Sequence, residues 1–384
     1  MRDIALENGP ISLVGALHLD RTESGLVPRR LPAWTRPQLP DILMDVVVQM
    51  PSGVRIRFAT SSTRIEIDVK LTLLQQLPRD LRPAVFDLIV DGTLARQALT
   101  TVGNVFVLGP GGAGDISFRP GDATTIVFEG LDSEPKVIDI WLPQATVVEL
   151  RGIRVEDNAD VSPAPASTLP RWVHYGSSIS HCMEAESPTG TWPAIAAREA
   201  GVELLSLGLA GQCMLDQFVA RTIRDLPADV ISLKVGINVV NGDTLRDRTF
   251  GPALHGFIDT IREGHPETPI LLVSPIYCPS AEDRPGPTIV GPNGRFITVA
   301  GLNELRLTCL TLTRIREMIR SIVELRQGLG DVHLQYLDGL ELFGADDAGD
   351  LPDDLHPTAS GYARMGHRFA ELAFGTGGHL ARRT

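Results

Sequence analysis

The amino-acid sequence predicts an all-β domain followed by an α/β domain built on a parallel sheet wound on both faces. Three observations predict it. Apolar and polar residues alternate with period two through many short segments from about residue 11 to 156. A stretch rich in Pro, Ser and Asn then breaks the pattern. Beyond it, short apolar runs alternate with helical periods, the mark of a doubly wound sheet.

In chain order, Ile42–Met50 reads as a strand running into the turn Pro51-Ser52-Gly53. Val54–Phe58 and Arg64–Leu71 alternate apolar with charged residues, as half-buried strands do. Further strands are expected at Val85–Val90, Ala95–Leu99, Asn104–Leu108, Asp115–Phe118, Thr124–Phe128, Lys136–Leu142 and Thr146–Ile153. Asp91-Gly92 is a strong hairpin turn between two of them. Short strands at this spacing predict a β-sandwich over 1–157, of jelly-roll-like variety.

Residues 158–170, with Pro163, Pro165 and Ser167, have the composition of a linker. In 171–384 the expected strands are Trp172–Tyr175, Glu203–Leu207, Val230–Val235, Ile270–Ser274 and Val332–Leu337. Helices are expected over about 190–200, 213–225, 246–264, 303–327 and 359–373. Five strands so connected predict a flavodoxin-like, three-layer sandwich. Pro279 to Ala300 exceeds ordinary βα connections and reads either as a lid or substrate wall or as a plain surface insertion.

Composition narrows the function classes. At 43% hydrophobic and 21% charged residues, the 384-residue chain has the balance of a globular protein. A net charge of -12 argues against nucleic acid and against anionic membrane surfaces as partners, since both are recognised by basic residues. The segment Met1–Asn8 has no basic region followed by an apolar stretch, and no run reaches membrane-spanning length. Cys182, Cys213, Cys278 and Cys309 lack metal-type spacing and fit reduced thiols. The expectation is a cytoplasmic protein without metal or cofactor, its oligomeric state open.

Chemistry concentrates where strands of the second domain end, the edge at which open α/β sheets bind ligands. Gly176-Ser177-Ser178 follows the first strand and offers a hydroxyl on a turn; taken alone it reads more readily as a helix cap. Gly208-Leu209-Ala210-Gly211 follows the second strand, and Gly236-Ile237-Asn238 the third. Asp353-Asp354-Leu355-His356-Pro357 is more specific. Pro357 suits the first turn of the helix behind it, and an aspartate three residues before His356 can hold the tautomer whose Nε2 accepts a proton. Asp354 competes with Asp353 for that role.

Joined in this order, the blocks resemble the SGNH hydrolases, the GDSL family of esterases and lipases, over about residues 170 to 375. The resemblance implies that Ser178 is the nucleophile, His356 the base and Asp353 its orienting partner. It also implies an oxyanion hole of the Ser178 and Gly211 N–H groups and the Asn238 side-chain amide. Two positions depart from the family: Ser177 stands where Asp is usual, and Val239 where Asp usually follows Gly-x-Asn. A β-sandwich ahead of this domain resembles two-domain carbohydrate esterases that remove acetyl groups from sugars. His181 and Cys182, just after the serine, and Asn241 are candidates for substrate contact. Trp192 is expected in the core.

The resulting expectation is a serine esterase that removes a short acyl group, such as acetyl, from a sugar or other small metabolite through an acyl-enzyme. Two alternatives remain. An acyltransferase or cyclising ester-former would use the same acyl-enzyme. An inactive glycan-binding protein would keep only the fold, and it sits poorly with an aromatic content of 5%.

Overall fold

The computed structural model describes residues 1–77, 79–109, 115–291, 293–299 and 308–381. It divides into two compact units: Met1–Thr168 with Glu186–Thr189, and Leu169–Ala185 with Gly190–Thr384.

The first unit holds two sheets. One runs in the order Ile116–Arg119, Asn104–Leu108, Ile65–Gln76, Val147–Val155, Leu26–Arg29, His18–Arg21, and the other Val161–Ser162, Arg55–Thr60, Lys136–Trp141, Ala84–Val90, Thr93–Thr100. Pairing is antiparallel except between Ile65–Gln76 and Asn104–Leu108. Ile65–Gln76 explains the build by itself. Ile65, Ile67, Val69, Leu71 and Leu73 point inward to a core that also takes Ile56, Phe58, Phe86 and Ile140 from the other sheet. Glu66 and Asp68 lie between them in sequence, face the other way and pair with Arg154 on the neighbouring strand. At the hairpin, Asp91 (φ 47°) and Gly92 (φ 82°) both take the left-handed conformation that a two-residue turn of this type needs.

The expected strand at Ile42–Met50 is instead a helix, Ile42–Gln49. Asp41 caps it, its carboxylate accepting the Met44 N–H at 2.8 Å. Met44, Val47 and Val48 are buried at helical spacing, while Ile42 is 76% exposed. The β-branched run at Val46–Val48 has strand propensity, which tertiary packing overrides here.

The second unit has five parallel strands: β1 (Arg171–Gly176), β2 (Glu203–Gly208), β3 (Val230–Lys234), β4 (Ile270–Val273) and β5 (Leu334–Leu337), in the order β2-β1-β3-β4-β5. This is the flavodoxin-like order. The strands are largely buried, as strands covered on both faces are: every residue of β3 and β4 is buried. Trp172 sends its ring to one face of β1, stacking on Phe369 with centroids 5.2 Å apart. Tyr175 faces the opposite way and stacks on Phe257 at 5.3 Å.

The helices are α1 (Ser178–His181), α2 (Trp192–Ala200), α3 (Gln217–Asp225), α4 (Ile237–Gly242), α5 (Asp247–Gly264), α6 (Leu312–Gly328), α7 (Gly339–Leu342) and α8 (Ala359–Phe369). The helix expected over 303–327 is seen from Leu312, and its positions 303–307 lie outside the described residues. Between β4 and α6, Thr288–Val290 and Phe296–Thr298 form a small antiparallel hairpin. Among the described residues no helix is long and apolar enough to cross a membrane.

Candidate active site

Four connections at the carboxyl ends of β1, β2 and β3 and before α8 carry the candidate residues. At the end of β1, Ser177 caps α1, its hydroxyl accepting the Ile179 N–H at 3.3 Å. Ser178 is the first residue of α1, and Cys182 ends it in the left-handed region (φ 57°). Of the three serines, Ser177 and Ser180 are fully buried and Ser178 is half-buried. Ser180 is engaged with the core: its hydroxyl bonds His174 Nε2 at 2.8 Å, while His174 Nδ1 bonds Ser232 at 2.7 Å. Burial pushes the His174 pKa down to about 3, so this imidazole stays neutral and structural.

The turn after β2 comes close beneath α1. A Cβ at Gly208 would lie 2.5 Å from the His181 nitrogen, so only glycine fits. Gly211 follows in the left-handed region (φ 71°) and is partly exposed.

After β3, Gly236 takes φ 115° as the residue before α4, and a Cβ there would meet Ile315 Cγ2 at 2.7 Å. That turn sets Asn238 on the first turn of α4. The Asn238 Oδ1 accepts the buried Cys213 N–H at 3.1 Å. With its carbonyl so committed, the amide presents its NH2 as the remaining donor. Asn238 is 7% exposed.

The Asp353–His356 loop is held by its own backbone. Asp353 Oδ1 accepts the N–H groups of Leu355 (3.1 Å) and His356 (2.7 Å), and Oδ2 lies 3.0 Å from His356 Nδ1. His356 Nε2 lies 2.9 Å from Ser178 Oγ. Burial works against the Asp353 charge, but the hydrogen bonds and charge of His356 outweigh it and hold the carboxyl down at about 2. Asp354 turns away at φ 65° and pairs with Arg295 at 2.7 Å. α8 starts at Ala359 with Thr358 as its cap, so Pro357 lies just ahead of the helix and not in its first turn.

Two neighbours of His356 carry no signal in the sequence. Glu184 Oε1 lies 4.0 Å from Nδ1, and the Phe296 ring stands edge-on to the imidazole with centroids 5.5 Å apart. Phe296 belongs to the hairpin, and its N–H donates to the Asp353 carbonyl at 2.8 Å. A Phe in a Pro- and Gly-rich loop, and a Glu six positions past a serine, match no motif.

His181 and Cys182 are fully buried, and burial pushes the Cys182 thiol well up. Asn241 is partly exposed on α4, its Oδ1 buried with no hydrogen-bond partner among the described residues. Trp192 is fully buried at the start of α2. Lys234, at the end of β3, is also buried, which pushes its pKa down to about 8. Among the described residues no group of three or more His, Cys, Asp or Glu is placed to hold a metal ion. A cavity of about 520 Å³ lies at the opposite, amino-terminal edge of the sheet, against Pro170, Val202, Val230, Pro269 and His333. It contains none of the candidate groups.

A hydroxyl, an imidazole and a carboxylate in hydrogen-bonded series, on the ligand-binding edge of a flavodoxin-like sheet, define the class of SGNH-type ester hydrolases. Residues 170–281 match the model of the GDSL-like lipase/acylhydrolase family. No curated protein matches the sequence. Among solved structures, a salicylyl-acyltransferase, SsfX3 from a tetracycline biosynthetic pathway, is 28% identical with a TM-score of 0.80, over 96% of this chain and 95% of its own. A protein described as a GDSL-like lipase from Bacteroides ovatus is 20% identical with a TM-score of 0.64, over 94% and 95%. A family two carbohydrate esterase from Clostridium thermocellum is 16% identical with a TM-score of 0.55, over 83% and 91%. The last two likenesses are of fold.

Proposed function

We propose that the protein is a serine ester hydrolase working through an acyl-enzyme, with Ser178 as nucleophile, His356 as general base and Asp353 as its orienting partner. The observation that carries this reading is the unbroken series from Asp353 Oδ2 to His356 Nδ1 (3.0 Å) and from His356 Nε2 to Ser178 Oγ (2.9 Å). The Asp353 carboxylate fixes the proton on Nδ1, which leaves the Nε2 lone pair facing the hydroxyl.

His356 takes the Ser178 proton as the oxygen attacks the ester carbonyl. The Ser178 and Gly211 N–H groups and the Asn238 amide receive the developing oxyanion, worth about 3 kcal/mol per donor in comparable sites. His356 then protonates the departing alkoxide. Water repeats the sequence and releases the acid. Esters of a short acid such as acetate, on a sugar or other small metabolite, are the substrates of this reading.

A second reading has a specific observation behind it. The likeness at 28% identity over nearly the whole chain is to a protein named as an acyltransferase. In that reading the same acyl-enzyme is intercepted by an acceptor hydroxyl instead of water.

The test is p-nitrophenyl acetate turnover with and without a candidate acceptor alcohol, together with labelling by a fluorophosphonate. A Ser178 adduct in wild type, and loss of turnover in a folded Ser178→Ala variant, are expected. Wild-type turnover in Ser178→Ala would end the serine mechanism. Accumulation of acceptor ester without free acid would replace hydrolysis by transfer.

A further inference from the structure

His356 faces more than one carboxylate. Its Nδ1 bonds Asp353 Oδ2 at 3.0 Å, and Glu184 Oε1 stands 4.0 Å from the same nitrogen. Glu184 comes from a different part of the domain, the segment just after α1. It is held in place by Tyr362 of α8, whose hydroxyl donates to Glu184 Oε2 at 3.1 Å. Tyr362 is fully buried, and burial with the nearby Glu184 charge raises its pKa well above the usual tyrosine range, so it stays a donor. The Glu184 side chain is 22% exposed and the His356 side chain 12%, so their charges interact through little water.

Ser178 lies on Nε2, Phe296 offers a ring edge, and Arg295 is engaged with Asp354 at 2.7 Å. The Nδ1–H proton can satisfy only one acceptor at close range, and that acceptor is Asp353. Glu184 at 4.0 Å therefore acts by its charge. That charge matters most when the imidazole becomes imidazolium.

On the reading that His356 is the general base, we propose that Glu184 is a second positioning carboxylate, sharing with Asp353 the support of the imidazolium formed when Ser178 gives up its proton. It also supplies a reserve acceptor for Nδ1–H when the Asp353 carboxylate is lost. Glu184 touches no reacting atom; it works through His356.

The test compares the pH dependence of kcat/KM for p-nitrophenyl acetate in wild type, Glu184→Gln, Asp353→Asn and the double variant. Removing a nearby negative charge makes the imidazole easier to deprotonate. Glu184→Gln should therefore move the acid limb to lower pH by about half a unit to one unit, the low end for a charge at this distance. At neutral pH it should reduce kcat/KM by roughly three- to tenfold, since the stabilisation of imidazolium in the transition state falls with it. In the Asp353→Asn background the same change should cost at least about ten times more, because Asp353 and Glu184 are then both lost as carboxylates beside Nδ1.

A role confined to tying the segment to α8 would lower thermal stability and leave the acid limb unmoved. Tyr362→Phe provides the second readout: it frees Glu184 without deleting its charge, and a smaller shift in the same direction is expected. If Glu184→Gln does not fold, Tyr362→Phe and Glu184→Asp carry the test. An unmoved acid limb, or equal factors in the two Asp353 backgrounds, overturns the proposal. If Ser178 is labelled by the fluorophosphonate in that case, the serine mechanism stands and only the Glu184 role is lost. Absence of the adduct in wild type would remove the mechanism itself.

Discussion

Replacing Asn238 by Asp separates the two jobs that one side chain performs. Asn238 Oδ1 accepts the buried Cys213 N–H at 3.1 Å, and the NH2 on the other side is the proposed oxyanion donor. Asp keeps the shape and the acceptor but replaces the donor with an oxygen. The Cys213 N–H stays satisfied, so the fold should lose little. The oxyanion loses a donor and gains a charge beside it, and one such donor is worth about 2.7–4 kcal/mol, or 100- to 1,000-fold in kcat. Asn238→Ala makes the contrast. It deletes the donor and also orphans the Cys213 N–H, which costs about 1–3 kcal/mol of stability. For a domain of this size that is a fall in Tm of roughly 2–12 °C. Steady-state kcat for p-nitrophenyl acetate and thermal melts of the three proteins give the comparison. Both variants should lose at least 100-fold in kcat by this estimate, and only Asn238→Ala should melt early. An Asn238→Asp enzyme with kcat within about threefold of wild type and an unchanged Tm would show that this amide does not meet the oxyanion, since that loss is far below a donor's worth.

Gly236→Ala should be among the most damaging small substitutions. Its φ of 115° and a Cβ 2.7 Å from Ile315 Cγ2 together cost about 2–4 kcal/mol, visible as a lowered Tm and, through displaced Asn238, as lost activity. Acid stability should also report on Asp353. Its folded pKa is depressed to about 2, so its contribution is present above the unfolded value near 3.9 and is lost as pH falls through the folded one. Urea melts between about pH 4 and pH 2 should therefore show wild type losing on the order of 2 kcal/mol more than Asp353→Asn. Parallel pH dependences in the two proteins would contradict that assignment.

The parallel sheet was legible in the sequence because its strands are buried on both faces and read as short apolar runs between helical periods. β4 is simply Ile270-Leu271-Leu272-Val273. The helix at Ile42–Gln49 was not, because Val46–Val48 has strand propensity and the signal for the helix is one residue, the Asp41 cap. The site divides in the same way. Local blocks announce themselves: Gly236 is required by its φ, and the Asp353 carboxylate closes on its own loop. The resemblance pointed to Asp353, and the pairing that takes Asp354 elsewhere, with Arg295, comes from 59 residues away. Glu184 and Phe296 were invisible because each meets His356 only through the fold.

The bond between Ser178 and His356 joins residues 178 apart in the chain. A ribosome adding about 5–20 residues per second takes roughly 9–36 seconds to cover that distance. Throughout that interval the growing polypeptide has the proposed nucleophile without its proposed base. Gly211 and Asn238, the proposed oxyanion donors, are both made in the meantime. The imidazole arrives only with the loop that leads into α8. On the proposed mechanism, a chain cut short before residue 356 carries the hydroxyl without its base.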